Sequence, residues 1–557
     1  GQCQAAGAAK IDPSDLPGNG YIVKTVGENL FIAGNDSRGD PLDLDTHEGT
    51  LFGVYDLLES QLQVRWLWPG TLGEVIPHRE NVTFDVPNAT VEPLLWFKQW
   101  RGGHSEGEKV WLKRQRFGRS VQPKYGHSFG DYWARFNQTH PEYFSMMPDG
   151  TRRIDPDAEG DTQYVHMCVT EPGLVAQIIA DWKARGAGEY LNVCENDGWA
   201  GCACERCLAA DEPDPENPVP FTKRLESARS VFDGHDGPRG LWALKLGSLS
   251  DRYAKFWHAV AEQAASINPH VKVVSYVYDN YRKPPVAPIT LGPNVLCGLV
   301  PQESIFGYDH DDSAAFRKDW SGWEKTGCSL FLRPNYTLQA PNFPAFYAHT
   351  LGDDLKFALA HGLKGTDFDS LTSKYAVQGP SLYMLATVLN HPDASVDGVI
   401  DEFSAAFGPA KVAVKKYFDL CEQAYPQYRA DEKANRIKAK RKYHAGQYGP
   451  YYLLGGQIFN PEVMTKLAGA LDQAEVQAQP DGTAAARVQW LKKGLTHARL
   501  ILATQKAFEH QIDTGDATEF TQAHLALNDF RNANAEYDKI NFAGLSGDEK
   551  MWTRGNR

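Results

Sequence analysis

Glu195 and Asp197 are two carboxylates that follow a short apolar run, residues 190–193, and directly precede Gly198. If the strand stays extended to Asp197, side-chain alternation places both carboxylates on one face. Crowding raises the pKa of one of them and suits that group to act as an acid. The carboxyl end of a buried strand is also where α/β barrels keep catalytic groups. We therefore predict that both are catalytic; the alternative is that Asp197 caps the turn and Glu195 pairs with a basic neighbour.

A second acidic pair, Asp367 and Asp369, lies at the end of the run 365–369. This run is typical of the last strand of the same sheet, so its carboxylates would face the same mouth and lie across from Glu195. We predict that both aspartates are catalytic. The alternative is that they cap the helix that follows.

Polar and aromatic side chains near the ends of other predicted strands are candidates for binding a substrate. A guanidinium can hold a pair of hydroxyls, an amide oxygen or a carboxylate, and an aromatic ring can stack on an apolar ligand face. The predicted binding residues are Arg101, His104, His127, Asn196, Trp199, Tyr276, Tyr278 and Glu303. The alternative is that the histidines are structural and that the rings belong to the core.

Cys202, Cys204 and Cys207 are too close together for an ordinary framework of two disulfides. With Cys168 or Cys194 as a fourth ligand, their thiolates could hold a structural Zn²⁺. A site filled by four protein ligands leaves no open position, so we predict no catalytic metal and no other cofactor. The alternative is one disulfide with the remaining thiols reduced.

The hydrophobic pattern predicts the elements that must position these residues. Residues 19–92 are typical of a small α+β unit, with two short strands over 20–24 and 29–34 and an amphipathic helix over 49–62. From residue 94, apolar strands alternate with longer helical stretches, which favours a parallel sheet closed as a (β/α)₈ TIM-like barrel. The predicted strands cover 94–100, 189–194, 271–278, 294–300, 328–332 and 363–368.

After about residue 395 the chain has helical spacing throughout. We therefore predict three domains in the 557 residues: an α+β accessory domain over 1–92, a catalytic barrel over 93–395 and an α-helical domain over 396–557.

The net charge of −13 argues against a nucleic-acid partner, which would need a basic face. No apolar run approaches the roughly 20 residues that cross a bilayer. The chain has no initiator Met and no leader, which favours a secreted, periplasmic or outer-surface protein whose signal has been removed. Cys3 is either a lipoprotein anchor or a stray thiol. The sequence leaves the oligomeric state open.

Several motifs resemble those of carbohydrate-active proteins. Residues 49–59, followed by Arg65-Trp66 and Pro69-Gly70, resemble the accessory domain that precedes the barrel in family 20 hexosaminidases and α-glucuronidases. The segments 140–144, 149–150, 167–170 and 196–198, with the cysteine cluster, resemble the domain of unknown function numbered 4838. That domain forms the catalytic part of glycoside hydrolase family 163, whose activity is endo-β-N-acetylglucosaminidase.

The resemblance implies a bacterial, secreted glycosidase that cleaves a hexosaminide-type linkage in a complex glycan, with retention and substrate assistance. One carboxylate would orient the acetamide of the substrate, and the other would be the acid/base. Similar hexosaminidases use adjacent acidic residues, whereas Asn196 separates Glu195 from Asp197 here. Two alternatives remain open: an inverting α-uronidase with a basic pocket at Arg101 or Arg333, and a non-catalytic glycan-binding protein.

Overall fold

A computed structural model describes the chain except residues 1–3, 102–104, 156–159, 216–217, 235–239, 302–309, 336–342, 345, 370–374, 425–454, 536–551 and 553–557. Within the described ranges, no helix combines the length and the apolar character that crossing a membrane would require.

The N-terminal part contains a three-stranded antiparallel sheet, a separate two-stranded sheet and one helix. Strands β1 (Tyr21–Val26) and β2 (Asn29–Gly34) form a hairpin, β3 (Arg65–Trp66) pairs with β4 (Glu74–Val75), and β5 (Ala89–Val91) adds to the free edge of β1. The helix Gly49–Leu62 has the bounds that its apolar spacing predicts. It packs closely on β2, where a Cβ on Gly34 would lie only 2.0 Å from the Thr50 amide nitrogen.

The central element is a curled, mostly parallel sheet. Its strands are β6 (Phe97–Trp100), β7 (Gly118–Arg119), β8 (Tyr190–Asn192), β9 (Lys272–Val277), β10 (Val295–Leu299), β11 (Ser329–Leu332) and β12 (Gly365–Phe368). The strand order is β7-β6-β12-β11-β10-β9-β8, and β7 alone runs antiparallel to its neighbour. The predicted α/β class and parallel pairing are confirmed. A complete eight-stranded barrel is not, because the described ladders join seven strands into a half-barrel.

An irregular segment, residues 120–128, lies between the two ends of this curled sheet. At one end, the Ser120 amide donates to the Trp96 carbonyl, with an N···O distance of 2.9 Å. At the other end, the Ser128 amide donates to the Cys194 carbonyl at 3.1 Å. A few irregular hydrogen bonds therefore bridge the ends where a regular barrel would have a continuous ladder.

Helices surround the sheet and make up the C-terminal part. The longer helices between the strands are Glu106–Arg114, Pro172–Ala184, Phe221–Gly234, Ser250–Ala265, His310–Glu324 and Ala348–Ala360. Tyr375–Asn390 follows β12, and the later helices are Val396–Ala405, Lys411–Gln423, Pro461–Ala478, Gly482–Thr514 and Thr518–Ala533. Short helices cover Gln4–Ala8, Tyr132–Phe136, Glu205–Ala209 and Leu241–Leu244.

One hydrophobic core contains residues from all three predicted domains. The Trp68 ring, for example, stacks on the Trp490 ring with centroids 4.3 Å apart. The three domain boundaries therefore stay a prediction.

Candidate active site

Charged and aromatic side chains lie where the parallel strands end. Arg101 follows β6, Tyr278 and Asp279 follow β9, Arg333 follows β11 and Asp369 follows β12. Because the carboxyl ends of parallel strands meet at one edge of a sheet, the curled sheet brings these residues together at a common mouth.

Asp367 lies inside β12 and is held by an ion pair. Its side chain is fully buried, and both its oxygens accept hydrogen bonds from Arg101 Nε, at 3.0 and 2.9 Å. The Tyr125 hydroxyl donates to the same carboxylate. Although burial lowers it, the hydrogen bonds and charge of Asp367 raise the pKa of the Arg101 guanidinium overall. This geometry favours a positioning role for Asp367 over the catalytic role that the sequence predicts.

Glu195 is also buried, with 1% of its surface exposed. Its Oε2 accepts hydrogen bonds from the Tyr253 hydroxyl at 2.8 Å and from the Met167 amide at 3.3 Å. Its Oε1 accepts one from the Asn196 amide at 2.9 Å. Strand β8 ends at Asn192, before the extended stretch that a shared face with Asp197 would need. The structure therefore buries Glu195 among hydrogen-bond donors and leaves Asp197 at the surface.

Asp197 is accessible and lies beside an imidazole. Its side chain is 44% exposed, and one carboxylate oxygen is 3.9 Å from Nε2 of His127. The other ring nitrogen of His127, Nδ1, is 2.7 Å from the Glu195 carbonyl oxygen, which can only accept. Nδ1 therefore carries a proton, and Nε2 faces Asp197. The Gly198 amide also donates a hydrogen bond to the Asp197 carboxylate at 2.9 Å, which is the turn-capping contact named above as the alternative.

Asp279 is a site residue that the sequence reasoning missed. It lies two residues after the end of β9, is partly buried and has a φ of +44°, which is uncommon for a residue other than glycine. Burial and the nearby Asp197 carboxylate raise the pKa of Asp279 to about 7, against the opposing effect of Arg282. A carboxyl group that gains and loses its proton near neutral pH therefore lies near a second carboxyl group. Its position just after Tyr276 and Tyr278, at a predicted strand end, was the signal that could have found it.

Tyr276, Arg333 and Asp369 form another part of the mouth. The Arg333 guanidinium lies 4.9 Å from the centroid of the Tyr276 ring and donates hydrogen bonds to Asp369 and, at 3.0 Å, to Asn335. Burial above all raises the pKa of Tyr276 to about 12, so this phenol keeps its proton. The predicted catalytic residue Asp369 is thus paired with a guanidinium, as Asp367 is.

The remaining predicted binding residues differ in their surroundings. Asn196 is fully buried, donates to the Val165 carbonyl at 2.8 Å and accepts from the Phe129 amide at 3.2 Å, so it holds the loop. Trp199 and Tyr278 are partly buried and pack on the main core. His104 and Glu303 lie outside the described residues.

The cysteine cluster adjoins this site. The Sγ atoms of Cys168, Cys202, Cys204 and Cys207 all lie within 4.8 Å of one another, and all four side chains are buried. Cys194 is not part of the cluster, because its thiol faces the Val274 carbonyl. Of the two fourth ligands left open by the sequence, the structure brings Cys168 to the other three.

A second group with possible metal ligands consists of Asp56, Glu59 and His391. The buried Arg116 guanidinium forms ion pairs with both of these carboxylates. A guanidinium thus already pairs with both carboxylates of this group.

Three comparisons with known proteins bear on the chain. The family described as "Domain of unknown function (DUF4838)" matches residues 68–419, more than half of the sequence. No curated protein matches this chain. A solved structure of a GH138 enzyme targeting pectin rhamnogalacturonan II matches with 9% identity and a TM-score of 0.32, over 93% of this chain and 67% of that one. So low a TM-score establishes neither a shared fold nor a shared activity.

Proposed function

The chain belongs to the DUF4838 family, and we propose that it is a glycoside hydrolase that cleaves a hexosaminide-type linkage in a complex glycan. The observation that carries this proposal is that two carboxyl groups follow the adjacent parallel strands β8 and β9: the accessible Asp197, and Asp279, whose pKa burial and the nearby Asp197 raise to about 7.

Breaking a glycosidic bond needs a group that protonates the leaving oxygen and a second group that acts at the anomeric centre. Asp279 suits the first role, because a carboxylic acid with a pKa near the working pH is both protonated and able to release its proton. Asp197 suits the second role, because its carboxylate is accessible and bears the charge that raises the pKa of Asp279. We therefore propose Asp279 and Asp197 as the catalytic pair, in place of the pair Glu195 and Asp197 predicted from the sequence.

Retention with substrate assistance is the finer part of the proposal. The substrate acetamide would attack the anomeric carbon through its oxygen, while Asp197 accepts a hydrogen bond from the acetamide N–H. His127, whose Nε2 is 3.9 Å from Asp197, would lie beside the bound acetamide. Measuring the anomeric form of the first product by proton NMR tests this part: retention supports it, and inversion contradicts it.

Two alternatives receive less support. An α-uronidase would need a guanidinium that is free to bind the substrate carboxylate. Arg101 is paired with Asp367, and Arg333 is paired with Asp369. A glycan-binding protein without activity would have no use for an acid whose pKa is raised beside an accessible carboxylate.

We propose that the glycan lies outside the cytoplasm, as the secretion predicted from the sequence would require. The lipid anchor at Cys3 stays a prediction, because residues 1–3 lie outside the described part of the chain.

A panel of aryl hexosaminides, aryl uronides and N-glycans tests the proposal on the full chain. We expect turnover of a hexosaminide, and on the natural linkage to a sugar we expect it to fall about 10²- to 10⁴-fold in Asp279→Asn and in Asp197→Asn. Asp85→Asn, on the exposed surface of the N-terminal unit, is the matched control and should keep wild-type turnover. Equal turnover in all four proteins would contradict the assignment, and turnover of uronides alone would favour the first alternative.

A further inference from the structure

The four clustered thiols have the spacing of a tetrahedral metal site. The Cys168 sulfur lies 3.7 Å from the sulfurs of Cys204 and of Cys207. Zinc–thiolate bonds of about 2.3 Å in a regular tetrahedron place the sulfurs roughly 3.8 Å apart. Two sulfurs joined in a disulfide would be about 2.05 Å apart. The observed spacing thus fits four ligands around one ion.

The surroundings of the cluster suit a group with net negative charge, as Zn²⁺ with four thiolates would have. The Met146 amide points at the Cys202 sulfur, with an N···S distance of 3.2 Å. The buried Arg252 guanidinium donates to the Cys202 carbonyl oxygen at 2.9 Å. The Thr170 hydroxyl oxygen lies 3.1 Å from the Cys207 sulfur. A backbone amide and a hydroxyl therefore contact the sulfurs, and a buried guanidinium holds the backbone of Cys202.

We propose that Cys168, Cys202, Cys204 and Cys207 bind one structural Zn²⁺ and that this ion holds the segment carrying Asp197 in place. Four protein ligands fill a tetrahedral ion, so the site has no open position for a substrate or a reacting water. Its role is to join two stretches of chain that are distant in sequence.

Those two stretches flank the buried Glu195. Cys168 follows Met167, whose amide donates to the Glu195 carboxylate. On the other side, Cys202 is joined through its carbonyl to Arg252, and the next residue, Tyr253, donates its hydroxyl to the same carboxylate. An ion that ties Cys168 to Cys202 therefore fixes both sets of donors around Glu195, and with them the turn that presents Asp197. This inference does not depend on the proposed glycosidase activity.

Metal analysis of the purified full chain by inductively coupled plasma mass spectrometry is the first test. We expect one zinc per chain, and the same content in Cys328→Ser, which changes a cysteine outside the cluster. We expect Cys204→Ser to lose at least half of its zinc. Protein without zinc, protein that holds iron in its place, or a disulfide among the four cysteines would overturn the proposal.

A second measurement avoids the risk that Cys204→Ser fails to fold. Wild-type protein grown with Co²⁺ in place of zinc should show the intense visible bands of tetrahedral cobalt bound to thiolates. Spectra typical of octahedral cobalt with oxygen ligands would overturn the proposal.

Hydrogen exchange followed by mass spectrometry tests the effect on the Asp197 segment. Removing zinc with a mercurial reagent, followed by excess thiol and a chelator, should speed amide exchange in residues 196–208 at least about tenfold. The helix Pro461–Ala478 should keep its exchange rate. Unchanged exchange in 196–208 would contradict the positioning role, whatever the activity of the enzyme.

Discussion

At the scale of single residues, Asp279 differs from Glu195 and Asp367 in the groups that surround its carboxyl group. Glu195 has three hydrogen-bond donors, and Asp367 has a guanidinium and a phenol. Asp279 has burial and a neighbouring negative charge, which favour its neutral form. The same residue type is therefore surrounded by hydrogen-bond donors at one position and by burial and negative charge at another.

The raised pKa of Asp279 makes a prediction about stability. Between the ordinary Asp value of 3.8 and about 7, the folded protein keeps this proton and the unfolded chain loses it. This group therefore lowers the free energy of unfolding as the pH rises through that window. We expect Asp279→Asn to gain stability relative to wild type on going from pH 5 to pH 8, measured by urea unfolding. The control Asp85→Asn should show no such change, and a constant difference between Asp279→Asn and wild type would contradict the raised pKa.

For Glu195 we predict a structural role, so that its substitution lowers stability more than activity. In Glu195→Gln, an amide N–H₂ replaces one oxygen and faces a donor, so the Tyr253 hydroxyl and the Met167 amide, or the Asn196 amide, lose an acceptor. We expect a loss of about 1–3 kcal/mol in the free energy of unfolding and a smaller loss of kcat than in Asp279→Asn. Wild-type stability combined with the larger loss of kcat would assign the chemistry to Glu195.

At the scale of elements, the turn after β8 decides where Asp197 points. Gly198 has a φ of +91°, which other residues rarely adopt, and an added Cβ would meet Tyr164 only at an ordinary 3.6 Å. The cost of Gly198→Ala therefore comes from the backbone, and we expect it to exceed about 1 kcal/mol. Activity should fall together with stability. Gly188→Ala, where an added Cβ has nothing within 4 Å and φ is not positive, is the matched control; equal effects of the two changes would contradict this reading of the turn.

Regular elements were predictable from the sequence, because periodic apolar residues fix them locally. The helix Gly49–Leu62 has the bounds that its spacing predicts, and β9 lies within its predicted run. Strand β7 has two residues and no periodicity, so its antiparallel pairing with β6 left no local signal.

The candidate site was predictable only in outline, since its chemistry depends on contacts across the sheet. The rule that catalytic groups follow parallel strands found Asp197, and it applied equally to Asp279. The pKa of Asp279 depends on Asp197, a neighbour through space on another strand end. Asp367 on β12 forms an ion pair with Arg101, which follows β6. These residues are distant in sequence, so no local pattern predicts that contact.

At the scale of the whole molecule, the C-terminal helices are packed against the N-terminal part. Besides the stack of Trp68 on Trp490, the Arg487 side chain donates to the carbonyl oxygens of Leu72 and Glu74, at 2.9 and 2.7 Å. These contacts join parts of the chain that the sequence predicts to be separate domains, so we expect them to unfold together.

Trp490→Ala tests this coupling. Removing a buried indole should lower the free energy of unfolding by about 3–5 kcal/mol, and the whole chain should still unfold in one transition. Val412→Ala, at a position that is 76% exposed, should change it by less than about 0.5 kcal/mol. Calorimetry that resolves an early transition confined to the C-terminal helices would contradict a shared core.

The central claim is that Asp279 donates the proton to a departing sugar oxygen, and the leaving-group dependence of Asp279→Asn tests it most directly. A dinitrophenyl leaving group departs without a proton, whereas a natural sugar alcohol needs one. We predict that Asp279→Asn keeps turnover within about tenfold of wild type on a dinitrophenyl hexosaminide and loses at least about 10²-fold on the natural linkage. Equal losses on both substrates would contradict the claim.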